Sequence, residues 1–157
     1  MSSSGNSRIL VVLDTDGIVQ QQSVTPSSVW VIVSSPDSID CGPGDEVLVT
    51  AAAGTALDWM IVPLNPLASV ILGTFSSSTA ALAKPQLQRR ATRIAVPMPG
   101  TPPFEAKTER VTHVFWRTAV LDADAFPVAI EWGIAVGGGR SRRSNDLTWK
   151  TTVVNVV

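Results

Sequence analysis

The chain has 157 residues, a formal net charge of −1, one cysteine, one histidine, no tyrosine and five tryptophans. A single cysteine excludes an internal disulfide and a cysteine-rich zinc site, and a single histidine excludes a site built on a histidine pair. No apolar run reaches the ~18 residues that a membrane-spanning helix needs. We therefore expect no membrane insertion and no cofactor.

Apolar runs rich in β-branched residues follow one another along the chain, and turn-forming clusters of Pro, Gly and Asp separate them. The clearest period-two alternation of apolar and other residues lies between residues 128 and 136. The predicted strands are Arg8–Asp14, Ser28–Ser34, Glu46–Thr50, Leu57–Val62, Arg93–Val96, Arg110–Leu121, Val128–Val136 and Asp146–Val157.

One stretch favours helix. Leu67–Lys84 contains small and apolar residues and no proline, and it predicts one or two short helical turns, although Gly73 and three consecutive serines weaken them. Because strands do not alternate with helices elsewhere, the sequence predicts an all-β fold, a two-sheet antiparallel sandwich of about eight strands. We expect residues 1–7 to form a flexible N-terminal segment and residues 8–157 a single sandwich domain.

Charge is divided unevenly along the chain. Residues 1–78 contain seven acidic residues and one basic residue, whereas residues 79–157 contain eleven basic and six acidic residues. Such a division is typical of self-association between unlike patches or of a basic face that meets a polyanion. The remaining interpretation is that folding interleaves the two halves and cancels most of the asymmetry.

The first candidate for chemistry follows the first predicted strand. Asp14-Thr15-Asp16-Gly17 is similar to the first motif of haloacid-dehalogenase-type phosphatases, which would make Asp14 a nucleophile and Asp16 an acid/base beside Mg²⁺. Yet the chain lacks the alternating helices of that family, and the same residues are ordinary turn formers. We therefore predict that the protein is not an enzyme.

Two arginine clusters are the candidate contacts for RNA. One begins a predicted strand, and the other lies in a glycine-rich segment, 137–143, which is predicted to be a loop between two strands. Plain solvated surface charge is the alternative for both clusters. The candidate nucleic-acid-binding residues are Arg89, Arg90, Arg93, Arg140, Arg142 and Arg143.

The remaining reactive residue types give weaker signals. His113 lies among apolar residues, where a histidine is more often packed or hydrogen-bonded than catalytic. Cys41 lies in a turn without a neighbouring base, so we expect no nucleophilic role. The five tryptophans are predicted to lie in the core, with one or two at a subunit interface.

A family resemblance covers Gly44–Ala83 and the arginines of the following strand, Gln88–Arg93. The turn Pro63–Pro66 (PLNP), the segment Leu72–Phe75 (LGTF) and the basic strand start Gln88–Arg93 follow in that order. In this respect the chain resembles the jelly-roll coat proteins of small icosahedral RNA viruses, in which a similar turn, a short helical segment and a basic strand succeed one another. The resemblance implies a jelly roll, while an immunoglobulin-like sandwich fits the same strand count.

The resemblance implies a structural capsid subunit that binds copies of itself in a symmetric shell, with packaged RNA on its basic loops. The location would then be the virion, assembled in the host cytoplasm. A mean hydropathy of +0.24, which is high for a soluble monomer, also favours self-association. The alternative function is a non-catalytic β-sandwich module for binding, decoration or attachment.

Overall fold

The computed structural model describes residues 5–100, 102, 105–138 and 141–156, with the backbone alone for 138 and 141–146. Within these residues it contains ten strands, one α-helix and two short 3₁₀ turns, Pro26–Ser28 and Ala123–Ala125. The elements are β1 (Ser7–Leu13), α1 (Thr15–Gln21), β2 (Val29–Ser35), β3 (Ser38–Pro43), β4 (Glu46–Val49), β5 (Ala56–Pro63), β6 (Ala68–Ser77), β7 (Gln86–Val96), β8 (Lys107–Ala119), β9 (Val128–Gly138) and β10 (Ser141–Asn155).

The strands form two open sheets that face each other as a sandwich. The large sheet has the order β3-β2-β1-β5-β8-β7, and the small sheet has the order β4-β10-β9-β6. The predicted all-β sandwich is thus confirmed. The prediction of purely antiparallel sheets is wrong, because β1 pairs with β5, and β4 with β10, in parallel. These pairings do not confirm a jelly roll.

Three buried tryptophans hold the two sheets together. The ring of Trp59 on β5 lies 5.7 Å from Trp132 on β9 and 6.3 Å from Trp149 on β10, between ring centroids. Two of these indole N–H groups donate hydrogen bonds, from Trp59 to Thr118 Oγ1 at 3.0 Å and from Trp149 to the Gly44 carbonyl at 2.8 Å. Alternating aliphatic residues of β1, β2 and β9 fill the remaining core.

Helix α1 stands where the sequence predicts a hairpin turn. The Asp14 carboxylate accepts a hydrogen bond from the Gly17 N–H at 3.2 Å, and the Asp14 carbonyl accepts one from the Ile18 N–H. Asp14 is therefore the N-cap of α1. Ile18 is fully buried, and α1, which follows β1 of the large sheet, contacts β9 of the small sheet, so the helix packs across one end of the sandwich.

Three other elements differ from prediction. The segment predicted to be helical is mostly β6, in which a register shift between Leu72 and Phe75 lets the strand bend along β9. Strand β3 occupies residues between two turn clusters that gave no strand signal. Strand β7 is also much longer than its predicted four residues, because it pairs with β8 along its whole length.

Candidate self-association surface

The outer face of the large sheet is apolar across its three central strands. In β1, Ile9, Val11 and Leu13 point into the core, so Leu10 and Val12 point outward. The registers place Leu10 beside Ile32 on one side and Met60 on the other. The apolar outer face consists of Leu10, Val12, Trp30, Ile32, Met60 and Val62.

This face meets solvent in the described part of the chain. Trp30 is 49% exposed and Ile39, further out on β3, is 75% exposed, while the other members of the face are partly exposed. A sheet face that borders water is normally polar, with apolar residues confined to the opposite face. An apolar face with an exposed tryptophan is instead typical of a protein–protein contact.

Charged side chains border the apolar outer face at one end. Arg117 on β8 binds Asp58 on β5 through two parallel hydrogen bonds of 2.7 and 2.9 Å. The hydrogen bond to Asp58 raises the pKa of the Arg117 guanidinium above its ordinary value. Arg8 lies directly across from Asp58 in the parallel register and is exposed. The border is therefore polar, as the rim of a protein interface usually is.

The structure places the first arginine cluster on an edge strand. Arg89, Arg90 and Arg93 all lie on β7 and are exposed, and strand alternation directs Arg90 to the face opposite that of the other two. A nucleic-acid-binding role for these residues stays a prediction.

The second cluster lies in a different setting from the predicted loop. Strand β9 continues to Gly138 and β10 begins at Ser141, so Arg142 and Arg143 belong to a strand and not to a long loop. Their side chains and the whole of Arg140 lie outside the described residues. Their contact with nucleic acid is also still a prediction.

The residues singled out for chemistry have ordinary partners. Asp16 accepts a hydrogen bond from the Asn65 side chain at 3.1 Å, and His113 Nε2 lies 3.0 Å from Thr92 Oγ1 on the neighbouring strand. Cys41 is an exposed free thiol on β3. Within the described ranges, no three His, Cys, Asp or Glu side chains are arranged to hold a metal ion. Asp14 caps α1, so the phosphatase motif has a structural explanation.

The sequence contains a signal for the apolar outer face, which is the lack of alternation in two of the predicted strands. Arg8–Asp14 reads RILVVLD, an apolar run without alternation, and Ser28–Ser34 reads SVWVIVS. Unbroken apolar runs indicate strands that are covered on both faces. Because the small sheet covers one face of these strands, their second face is apolar and borders solvent.

Comparison with known proteins finds a solved structure with the same fold, which is an open two-sheet β-sandwich with mixed sheets. The chain is similar to the crystal structure of the inclusion body protein PixA from Burkholderia cenocepacia J2315, with a TM-score of 0.69 and 13% sequence identity. The match covers 99% of this chain and 99% of that chain, and at this identity it shows a shared fold. No protein-family model matches the chain, and no curated protein matches it.

The predicted viral capsid function is wrong, and so is the predicted location in a virion. A solved structure that shares this architecture over its whole length is a bacterial inclusion body protein and not a coat protein. The LGTF segment that supported the resemblance is also not helical, because it lies within β6. Among the described residues, no helix has both the length and the apolar character that crossing a membrane requires.

Proposed function

We propose that this protein is a non-catalytic structural subunit that associates with copies of itself to build a protein inclusion. The observation that carries the proposal is the apolar outer face of the large sheet. Burial of apolar area is the main source of free energy in protein association. The likeness to an inclusion body protein over the whole chain supports the same class of function.

The outer face of the whole large sheet is large enough for a second copy. Its six strands, spaced about 4.8 Å apart with about seven residues each at about 3.3 Å per residue, give a footprint of roughly 650 Å² per copy, and the apolar outer face lies inside it. Two such footprints together give about 1,300 Å², which lies in the range of stable protein interfaces, about 1,200–2,000 Å². Two sheets that stack face to face lie about 10 Å apart, with interdigitating apolar side chains.

The first prediction concerns the residues that flank Leu10. Replacing Ile32 and Met60 by lysine (I32K/M60K) puts two charges into each apolar outer face, and a buried unpaired charge is strongly unfavourable. We expect the association constant of the paired species to fall at least about tenfold, which corresponds to about 1.4 kcal/mol. Sedimentation velocity measures the change, since one chain has a mass of 16.6 kDa and a pair has twice that mass.

The control is Leu67→Lys. Leu67 is 81% exposed in the turn between β5 and β6 and lies off the apolar outer face. This variant gains a charge at an exposed apolar position and should associate as the unmodified chain does. An unmodified protein that stays a monomer at every concentration, or an I32K/M60K variant that associates as well as Leu67→Lys, contradicts the proposed function.

A further inference from the structure

The large sheet extends beyond the small sheet at one edge. The edge strand of the small sheet, β6, packs against β5, and the Leu72 carbonyl on β6 accepts a hydrogen bond from the Trp116 indole at 3.0 Å. In the large sheet β8 lies beside β5, and β7 lies beyond β8 at the edge. The inward face of the β7–β8 hairpin is therefore uncovered, and Leu87 and Val114 on it are about half exposed.

That uncovered face carries like charges side by side. Arg93 on β7 and Arg110 on β8 are directly opposite each other in the antiparallel register, and Arg89 follows on the same face. Like charges at directly opposed positions destabilise a sheet. In the described part of the chain none of these three arginines forms an ion pair. We call Arg89, Arg93 and Arg110 the basic hairpin face.

The other edge of the sandwich carries the opposite charge. A cleft of about 320 Å³ opens between β3 and β4, and Asp40, Asp45 and Glu46 line it together with apolar Val33 and Leu48. All three acidic residues are exposed, and none forms an ion pair with a described cation. We call this the acidic cleft.

We propose that the basic hairpin face of one copy docks into the acidic cleft of the next copy, so that β7 extends the neighbour's large sheet at β3. The contact rests on the proposed function and adds to it a second, head-to-tail surface. Each surface offers three charges of one sign beside apolar side chains, and the two signs are complementary. The carboxylates of the neighbour also relieve the repulsion between Arg93 and Arg110.

Strand direction agrees with this docking. The chain of antiparallel and parallel pairings makes β3 and β7 run in the same direction in one sheet. A neighbouring copy that is shifted along the sheet, without being turned over, therefore brings its β3 beside β7 in parallel. In that arrangement Asp40, which pairs with inward-facing Val33, lies on the same side of the sheet as Arg89 and Arg93.

Charged residues on an edge strand can also act as guards that keep sheets from joining. The two roles differ in their dependence on sign. A guard works equally well with either sign of charge, whereas docking requires opposite signs on the two edges. Reversing the charges therefore separates the two interpretations.

The test uses three variants of the full chain, and circular dichroism verifies the fold of each. The basic-edge variant is R89E/R93E, and the acidic-edge variant is D40K/E46K. The control is K84E, which reverses the charge of an exposed lysine between β6 and β7 that belongs to neither charged surface. Light scattering and sedimentation velocity measure the growth of assemblies larger than the paired species. If a lysine variant does not fold, D40N/E46Q replaces it as the variant expected to stop growing.

We expect each edge variant alone to stop at the paired species, since both of its edges then carry the same sign. A 1:1 mixture of R89E/R93E and D40K/E46K restores growth, because each edge again meets its opposite. The K84E control grows as the unmodified chain does, and treatment with ribonuclease changes nothing.

Three outcomes overturn the inference. Edge variants that grow like the unmodified chain remove the head-to-tail contact and leave the proposed function in place. Growth that ribonuclease abolishes assigns the arginines to RNA instead of to a second copy. An unmodified chain that remains monomeric overturns both the inference and the proposed function.

Discussion

At the scale of single residues, the stability of the core depends on whether each buried polar atom has a hydrogen-bond partner. Thr118 on β8 is fully buried, and its hydroxyl accepts the hydrogen bond from the Trp59 indole. Thr151 on β10 is buried to a similar degree, but its hydroxyl has no partner among the described residues. The two threonines are thus a matched pair, in which one buried hydroxyl is hydrogen-bonded and the other is not.

Replacing either threonine by valine removes a hydroxyl and keeps the shape of the side chain. Thr118→Val leaves the buried Trp59 N–H without an acceptor, and we expect it to lower the free energy of unfolding by about 1–3 kcal/mol. Thr151→Val removes an unsatisfied group and is expected to be neutral or stabilising. Urea unfolding of both variants measures the difference, and an equal loss in the two would contradict this account of the core.

At the scale of elements, close approach of backbones fixes the position of β3 and β4. The Gly44 N–H donates to the Val29 carbonyl at 2.9 Å, and the Gly44 carbonyl accepts from the Trp149 indole. A β-carbon on Gly44 would overlap the Val29 side chain, whereas one on Gly42 would meet nothing within 4 Å. Because the two hydrogen bonds hold Gly44 in place, it cannot retreat from Val29.

We therefore expect Gly44→Ala to lower the free energy of unfolding by about 1–3 kcal/mol through overpacking. Gly42→Ala, two residues earlier, should stay within about 0.5 kcal/mol of the unmodified protein. Thermal or urea unfolding measures both variants. A Gly42→Ala variant that loses as much stability as Gly44→Ala would show that the cause is the loss of glycine itself and not contact with Val29.

Strands with a strong apolar pattern were predictable from the sequence, and strands fixed by their neighbours were not. Runs such as those of β1, β2 and β9 locate their own strands because their side chains fill the core. Strand β3 has no buried residue, and β6 contains three serines and a glycine among its ten residues. Their backbones are extended because β2 and β9 offer hydrogen-bonding partners, and a pattern of single residues does not contain that information.

At the scale of the whole molecule, the uneven division of charge becomes an uneven distribution in space. The acidic first half supplies the cleft at β3 and β4, and the basic second half supplies the hairpin of β7 and β8 at the opposite edge of the large sheet. The sequence predicted the asymmetry but not its location. Which strands become edges depends on pairings between residues far apart in the chain, including the parallel pair of β1 and β5.

The two proposed surfaces should differ in their sensitivity to salt. Salt shortens the screening length from about 10 Å at 0.1 M to about 3 Å at 1 M, which weakens contacts between exposed charges. Burial of the apolar outer face does not depend on charge. We expect large species at low salt and paired copies at about 1 M sodium chloride, measured by sedimentation velocity. Large species that persist unchanged at 1 M salt would contradict an electrostatic head-to-tail contact.

The position of β10 sets the order in which the protein can be completed during synthesis. β10 (Ser141–Asn155) lies inside the small sheet, between β4 and β9, and β4 has β10 as its only hydrogen-bonded neighbour among the described strands. A ribosome-bound chain that ends before residue 141 therefore has no partner for β4 and no Trp149 for the core. An unfinished chain of that length thus lacks a complete acidic cleft, and the proposed head-to-tail contact must wait until β10 is in place.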